Sequence, residues 1–171
     1  MRLARVISGG QTGVDRAALD TALAFGLLIG GSSPRDGWAE DGRVPAQYGL
    51  VPVEAPSLEE SIALRTTRNV AEADATLVLR VGAPSAGTDF TIAEAVRLGK
   101  PHAVFMLRDD DATSGDAIAS WIESTPGAVL NVAGPRESEA GLYARARACL
   151  DDAFARLAER AALHPAPREG C

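Results

Sequence analysis

The residues best suited to chemistry lie near the start of the chain, in a glycine-rich stretch at residues 8–16. The stretch follows a short apolar run and precedes apolar residues at helical spacing, a pattern that predicts a strand, a tight turn and a helix. Glycines in such a turn allow the backbone amides to point at a bound anion, so we expect a phosphate or a similar oxyanion here. The residues expected to contact it are Gly9, Gly10, Gln11, Thr12, Gly13 and Arg16.

A turn without a ligand is the alternative interpretation of this stretch. Thr12 and Asp15 match the capping box with which many helices begin. The glycine spacing corresponds neither to G-x-G-x-x-G nor to the phosphate-loop lysine motif. Arg16 favours the anion site, because a cation in the first helical turn opposes the helix dipole unless an anion lies nearby.

A second glycine loop follows the apolar run at residues 75–81, which predicts a buried parallel strand. Gly87 lies in this loop and Thr88 can cap the next helix, so backbone amides with Thr88 and Thr91 could form a second anion site. Glu94 is a weak candidate for a catalytic residue. It lies nearly two turns inside the helix, where a structural or solvated carboxylate is favoured over a general base.

The third glycine loop contains Gly134 and Arg136 and follows the last predicted strand. An aperiodic segment at residues 32–47 contributes Arg35 and Arg43. Its length and its tryptophan favour an ordered lid or binding loop, and a solvated surface loop is the alternative. We include all four residues among those expected to bind the ligand.

Strands and helices alternate along the chain, which predicts an α/β, Rossmann-like fold with an open, mostly parallel sheet and helices on both faces. We expect one domain over residues 1–163 and a frayed tail at 164–171. Ligands bind such folds at the carboxyl ends of the strands. The three glycine loops would therefore meet at one edge of the sheet.

Two helices can be outlined in more detail. Ser57 and Glu60 form a capping box that predicts a helix to about residue 73. One face of this helix is polar, and either ligand or solvent could lie against it. The polar residues on that face are Arg65, Arg68, Asn69 and Glu72. A long final helix is expected over residues 139–163.

Composition argues against several classes of function. The net charge is -6 and the pI is near 4.9, which disfavours general binding to nucleic acid or anionic membranes. The two cysteines, Cys149 and Cys171, are too few for a disulfide framework and wrongly spaced for zinc, as expected for a cytoplasmic protein. The acidic run at 109–111 is more typical of a turn than of a magnesium site, so we expect no metal.

Six short motifs, spread from the first predicted strand to the last helix, resemble those of a known family. They are ISGGQTGVDRAALD at 7–20, AEDGRVP at 39–45, RT at 65–66 with NV at 69–70, DATL at 74–77, GKP at 99–101 and NVAGPRES at 131–138. Together they are similar to the molybdenum carrier family. Members of this family resemble the molybdenum cofactor carrier proteins and belong to the Rossmann-like group that includes the LOG, or lysine-decarboxylase-like, proteins.

The resemblance implies a homo-oligomer, expected to be a tetramer, that stores or carries molybdenum cofactor. This ligand is a pterin with a phosphate and an oxidisable dithiolene. The glycine loops would hold the phosphate, and the segment at 32–47 could cover the rest. No catalytic residue is required for this function.

The LOG proteins suggest an alternative function, namely a phosphoribohydrolase or sensor that acts on a nucleoside monophosphate. Their catalytic glutamate closely follows a Gly-Gly-x-Gly-Thr motif. In this chain Asp89 directly follows Thr88, only one glycine of that motif precedes it, and Glu94 lies too far along. These differences weaken the case for hydrolysis but leave nucleotide binding open.

Overall fold

The computed structural model describes residues 2–82, 85–107 and 112–163. The predicted acidic turn at 109–111 and the predicted tail at 164–171 lie outside these residues. The strands in the described part are β1 (Arg5–Ile7), β2 (Leu28–Gly30), β3 (Ser32–Ser33), β4 (Trp38–Ala39), β5 (Gly42–Arg43), β6 (Val51–Pro52), β7 (Ala75–Arg80), β8 (His102–Met106) and β9 (Val129–Ala133). The helices are α1 (Val14–Ala24), α2 (Leu58–Glu72), α3 (Ala86–Arg97), α4 (Ala112–Ser124), α5 (Glu137–Ala140) and α6 (Tyr143–Leu163).

The central sheet has five strands in the order β2-β1-β9-β7-β8, and every neighbouring pair is parallel. The α/β Rossmann-like fold predicted from the sequence is therefore confirmed. The last strand, β9, lies between β1 and β7 at the centre of the sheet. Two short pairs, β3 with β6 and β4 with β5, lie outside it.

Alternation along the strands divides the core into two layers. Helices α1, α4 and α6 pack together, and the main apolar cluster joins their side chains to those of Val6, Leu77 and Leu130. Ile7 and Val78, the next residues along their strands, are fully buried but lie outside this cluster. Because successive strand residues point to opposite faces, the second face is buried as well. The other pair of packed helices is α2 with α3.

The starts of α2 and α1 differ in how they are capped. Ser57 and Glu60 form the predicted capping box, with both reciprocal hydrogen bonds at 3.1 Å. A capping box at Thr12 and Asp15 was the wrong alternative. Gly13 precedes α1 and no side chain caps it. Both predicted side chains have other partners, described below.

Two helix boundaries differ from the prediction. Thr88 does not cap α3, because the helix already begins at Ala86 and Thr88 lies within its first turn. The long final helix is divided into α5 and α6, because Gly141 adopts a left-handed conformation with φ 59° and ends α5. The segment at 32–47 is ordered, with β3, the β4–β5 hairpin and tight turns at Arg35–Gly37 and Ala46–Tyr48.

Candidate functional site

The three predicted glycine loops follow β1, β9 and β7, which are neighbours at the centre of the sheet. The first and third loops are in close contact. A Cβ on Gly13 would lie 2.7 Å from the carbonyl oxygen of Pro135, and Gly13 has φ 75°, so a side chain is excluded on both counts. A Cβ on Gly134 would lie 2.3 Å from the carbonyl oxygen of Leu79, in β7. The first and third loops therefore meet at the carboxyl edge of the sheet, next to β7.

An ion pair lies beneath the first loop. Asp15 is 2% exposed, and its Oδ2 is 3.3 Å from Nη1 of Arg65 and accepts a hydrogen bond from the amide of Gln11 at 3.3 Å. Burial raises the pKa of Asp15, and Arg65 opposes this shift. The Nε of Arg65 is buried and has no hydrogen-bond partner within the part of the chain that the structure describes. The pair thus leaves the buried Nε donor of the guanidinium available.

The second loop leads into α3, whose first turn contains Thr88. This residue is 2% exposed, and its buried Oγ1 has no hydrogen-bond partner among the described residues. Thr91, one turn later, donates from its hydroxyl to the carbonyl oxygen of Gly87 at 3.0 Å. A Cβ on Gly87 would meet no atom within 4 Å. The start of α3 therefore combines an open backbone with an unsatisfied hydroxyl.

Glu40, in the segment at 32–47, joins the first loop to the third. Its carboxylate accepts hydrogen bonds from the hydroxyls of Thr12 and Ser138, and from the amide of Ser138 at 3.1 Å. The side-chain oxygen of Gln11 accepts a hydrogen bond from the backbone amide of Glu40 at 2.9 Å. Burial alone would raise the pKa of Glu40, but the hydrogen bonds from Ser138 and Thr12 lower it on balance. The ionised carboxylate of Glu40 therefore connects the first loop to the third.

Two of the predicted arginines are engaged with carboxylates around these loops. Arg16 forms a bidentate pair with Asp41 at 2.6 and 2.7 Å and donates to the carbonyl oxygen of Gly10 at 3.2 Å. Arg136 lies 3.1 Å from Glu139, and its Cζ is 6.0 Å from the centre of the Trp38 ring. Both cations are near the predicted edge, but each has a partner within the protein.

The other two predicted arginines lie farther along the segment. Arg35 donates to the carbonyl oxygens of Ala55 and Pro56, at 3.3 and 3.1 Å, and is 3.5 Å from Asp36. Arg43, on β5, is exposed and lines a cavity formed by its own segment. Within the described residues, the hydrogen bonds and ion pairs of Arg35 involve its own segment and residues 55–56, and Arg43 has none with the glycine loops.

Glu94 is held as an ionised structural group. Arg97 donates to both of its carboxylate oxygens at 2.8 Å, and Thr67 of α2 donates to Oε2 at 2.7 Å. These hydrogen bonds, first that from Arg97 and then that from Thr67, lower the pKa of Glu94 to about 2. A carboxylate with so low a pKa is a poor proton acceptor near neutral pH.

The described residues contain no group of three or more side chains that could hold a metal ion. The structure also has no helix, among those described, of the length and apolarity needed to span a membrane.

Comparison with known proteins agrees with this architecture. A family model, described as the circularly permutated YpsA SLOG family (cpYpsA), matches residues 6–154. The chain belongs to this family. A similar crystal structure, from Syntrophus aciditrophicus, is described as that of a "putative molybdenum carrier protein". Its sequence is 35% identical to this chain, the match covers 89% of this chain and 95% of the other, and the TM-score is 0.79. No curated protein matches the chain.

Two residues in the site have roles that the sequence did not reveal. The spacing of Arg65 predicts only a polar helix face, and nothing in that pattern indicates a buried partner in the first loop. Glu40 belonged to a motif of the family resemblance, but the sequence did not show that its carboxylate lies against Thr12 and Ser138. On the same helix face as Arg65, Asn69 is 2% exposed and bonds both backbone groups of Ser32.

Proposed function

We propose that this chain binds molybdenum cofactor through its phosphate and carries it without converting it. The observation that best supports this proposal is the hydroxyl of Thr88. It is buried in the first turn of α3 and has no hydrogen-bond partner among the described residues. The amino-terminal end of a helix attracts anions, and a buried hydroxyl without a hydrogen bond costs about 1–3 kcal/mol. A phosphate oxygen at the start of α3 would accept the Thr88 proton and remove this cost.

Arg65 supports the same assignment. Its guanidinium lies against Gly9, at the carboxyl end of β1, and its buried Nε has no acceptor. Asp15 compensates part of the charge but bonds only Nη1. A charge-assisted hydrogen bond from Nε of Arg65 to a ligand would be about twice as strong as a hydrogen bond between neutral groups. An anionic ligand therefore fits the donors at this edge.

The state of Glu94 favours carriage over hydrolysis. Its two oxygens are engaged by Arg97 and Thr67, and its pKa of about 2 leaves it unsuited to accept a proton from water. The similarity to a structure described as a "putative molybdenum carrier protein" supports molybdenum cofactor as the ligand that is carried. A cytoplasmic location and a homo-oligomeric carrier are part of the same proposal.

The first experiment is native mass spectrometry with elemental analysis on protein purified anaerobically from molybdate-fed cells that make the cofactor. We expect molybdenum together with a pterin mass. A nucleotide mass without molybdenum would favour the LOG-type alternative, which release of free base from AMP would then test. Protein that contains neither, and takes up neither when supplied with intact cofactor, would contradict the proposal.

A pair of threonine variants tests the position of the phosphate. Thr88→Val keeps the shape of the side chain but removes the hydroxyl, and we expect about ten-fold weaker binding of the cofactor, or about 1.4 kcal/mol. Thr66→Val is the matched control, because Thr66 is also buried but donates to the carbonyl oxygen of Ile62 at 3.0 Å. If the two variants bind the cofactor with equal affinity, Thr88 is not part of the binding site.

A further inference from the structure

A separate cavity of about 450 Å³ lies within the segment that contains β3 to β6. All of the residues that line it belong to positions 33–52, and none belongs to a glycine loop. This volume is within the range of small-molecule sites. Val44 and Leu50 form part of the wall, and the same side chains pack against Gly10 of the first loop. The cavity is thus next to the candidate site but distinct from it.

The cavity contains a cation without a counter-ion. Arg43 lines it and forms no ion pair with any residue that the structure describes. The acidic residues of the segment have other partners: Asp36 is 3.5 Å from Arg35, Asp41 pairs with Arg16, and Glu40 accepts from Thr12 and Ser138. The charge of Arg43 is therefore available to a ligand.

Ser33 supplies a second polar group. The residue is 1% exposed and lines the cavity, and within the described chain its hydroxyl has no hydrogen-bond partner. Its carbonyl oxygen is engaged, because it accepts the amide of Val53 at 3.0 Å. A hydroxyl that lines a cavity and has no partner in the described chain can donate to a ligand or to water. Ser33 is buried and Arg43 is exposed, and both line the cavity.

The remaining walls are largely apolar and held in place. Val44, Leu50 and Pro52 contribute apolar surface, and the β4–β5 hairpin fixes the position of Arg43 opposite Trp38. Asp36 adopts a left-handed conformation, with φ 57°, that residues other than glycine adopt infrequently. Such conformations persist where the surrounding structure over-determines them, as at many ligand sites.

We propose that this cavity binds a small organic carboxylate with an apolar body. The carboxylate would pair with the guanidinium of Arg43, the apolar body would lie against Val44 and Leu50, and the hydroxyl of Ser33 would donate to a ligand oxygen. A phosphate dianion fits less well, because the cavity offers one guanidinium and its wall includes the carboxylate of Asp36. The proposal is independent of the cofactor site at Thr88.

The test is a titration with three ring compounds that differ in charge, followed by amide chemical shifts in NMR. We expect benzoate to shift the amides of Gly37, Ala46 and Gly49 saturably, with a dissociation constant in the millimolar range. Benzyl alcohol and benzamidine should bind at least about five-fold more weakly, because neither supplies an anion. No saturable shift with benzoate, or equal shifts with all three, would overturn the proposal.

Substitutions at Arg43 and Ser33 test whether these side chains contact benzoate. Arg43→Gln and Ser33→Ala should each weaken benzoate binding at least about three-fold. Arg68→Gln is the matched control, because Arg68 is also exposed and has no ion pair among the described residues. Thr88→Val should bind benzoate as the parent does, which separates this site from the cofactor site. Unchanged affinity in Arg43→Gln, or benzoate shifts centred on Thr88, would contradict the assignment.

Discussion

Among the residues that the structure describes, two buried polar atoms, the hydroxyl of Thr88 and the Nε of Arg65, have no hydrogen-bond partner. Each such atom costs about 1–3 kcal/mol, and native proteins contain few of them. Both atoms lie at the carboxyl edge of the sheet, where Rossmann-like folds bind their ligands. Their positions are explained together if a ligand with acceptor oxygens completes the site.

Gly9 and Gly87 are two loop glycines whose substitution by alanine should have opposite effects on stability. A Cβ on Gly9 would lie 1.7 Å from Nη1 of Arg65, whereas one on Gly87 would meet no atom within 4 Å. We expect Gly9→Ala to displace Arg65, leave the buried Asp15 unpaired and lower the free energy of unfolding by about 3 kcal/mol. Gly87→Ala should raise the free energy of unfolding by up to about 1 kcal/mol, because alanine favours the helical conformation of α3 more than glycine does.

Denaturant unfolding of both variants, monitored by circular dichroism, measures these changes. Because the effects are opposite in sign, a general intolerance of the glycine loops to substitution cannot imitate the result. A parent-like stability in Gly9→Ala would mean that Arg65 moves aside without cost, and that its ion pair with Asp15 contributes little.

The sequence predicted where the glycine loops lie but not which side chains lie against them. Gly9 and Gly134 could be identified because a turn between a strand and a helix has a local signature. The contact of Arg65 with Asp15 joins residues 50 positions apart. Such a contact depends on how α2 packs on the sheet, and no local pattern records that packing.

Among the elements, α2 and α3 are connected through Glu94. Its carboxylate accepts from Thr67 on α2 and from Arg97 on α3 itself. The two helices hold the polar atoms of the candidate site, since Arg65 lies on α2 and Thr88 on α3. The carboxylate therefore keeps the two sides of the site in register.

The lowered pKa of Glu94 predicts a dependence of stability on pH. The hydrogen bonds of Arg97 and Thr67 lower the pKa from 4.5 to about 2, so ionised Glu94 stabilises the folded state above pH 4.5. That contribution is lost as the pH falls from 4.5 towards 2. We expect Glu94→Gln to be less stable than the parent by about 1–3 kcal/mol at pH 7, with a smaller difference at pH 3.

Urea unfolding between pH 7 and pH 3 measures this difference. Glu72→Gln is the control, because Glu72 is exposed on α2 and should show the parent stability at every pH. A difference for Glu94→Gln that stays constant over this range would show that the ionisation of Glu94 does not contribute to stability.

Sequence predicted the elements better than their ends. Long periodic segments such as α2 could be identified because the capping box and the apolar spacing agree. The break between α5 and α6 depends on one left-handed glycine, Gly141, inside an otherwise continuous helical pattern. The start of α3 at Ala86 was missed because Thr88 has the residue type of a cap, although its hydroxyl does not cap the helix.

At the scale of the whole molecule, the strand order determines which loops meet. Alternation of strands and helices predicts a parallel sheet but does not specify that β9 lies between β1 and β7. This insertion brings Gly134 against Leu79 and Gly13 against Pro135, and so assembles one site from distant parts of the chain. The convergence of the loops could be predicted from the fold class, whereas their order required the structure.

The outer surface of α3 and the adjoining edge strand β8 exposes apolar side chains. Phe90, Val96, Val104 and Met106 are 37%, 61%, 41% and 42% exposed. Exposed apolar residues on neighbouring elements are a feature of many contacts between subunits, and the family resemblance predicts a homo-oligomer. We therefore predict that a second copy of the chain covers this surface, and that Val96→Glu lowers the molar mass in solution, because association would bury the new charge.

Light scattering coupled to size-exclusion chromatography measures that mass. Val51→Glu is the matched control, because Val51 is 62% exposed on β6, away from α3 and β8. The control should keep the oligomeric mass of the parent, while Val96→Glu should elute as a smaller species with the same circular dichroism spectrum. A monomeric parent would exclude the oligomer altogether. An oligomer unaffected by Val96→Glu would place the contact on another surface, because a buried glutamate without a partner is too costly to leave association unchanged.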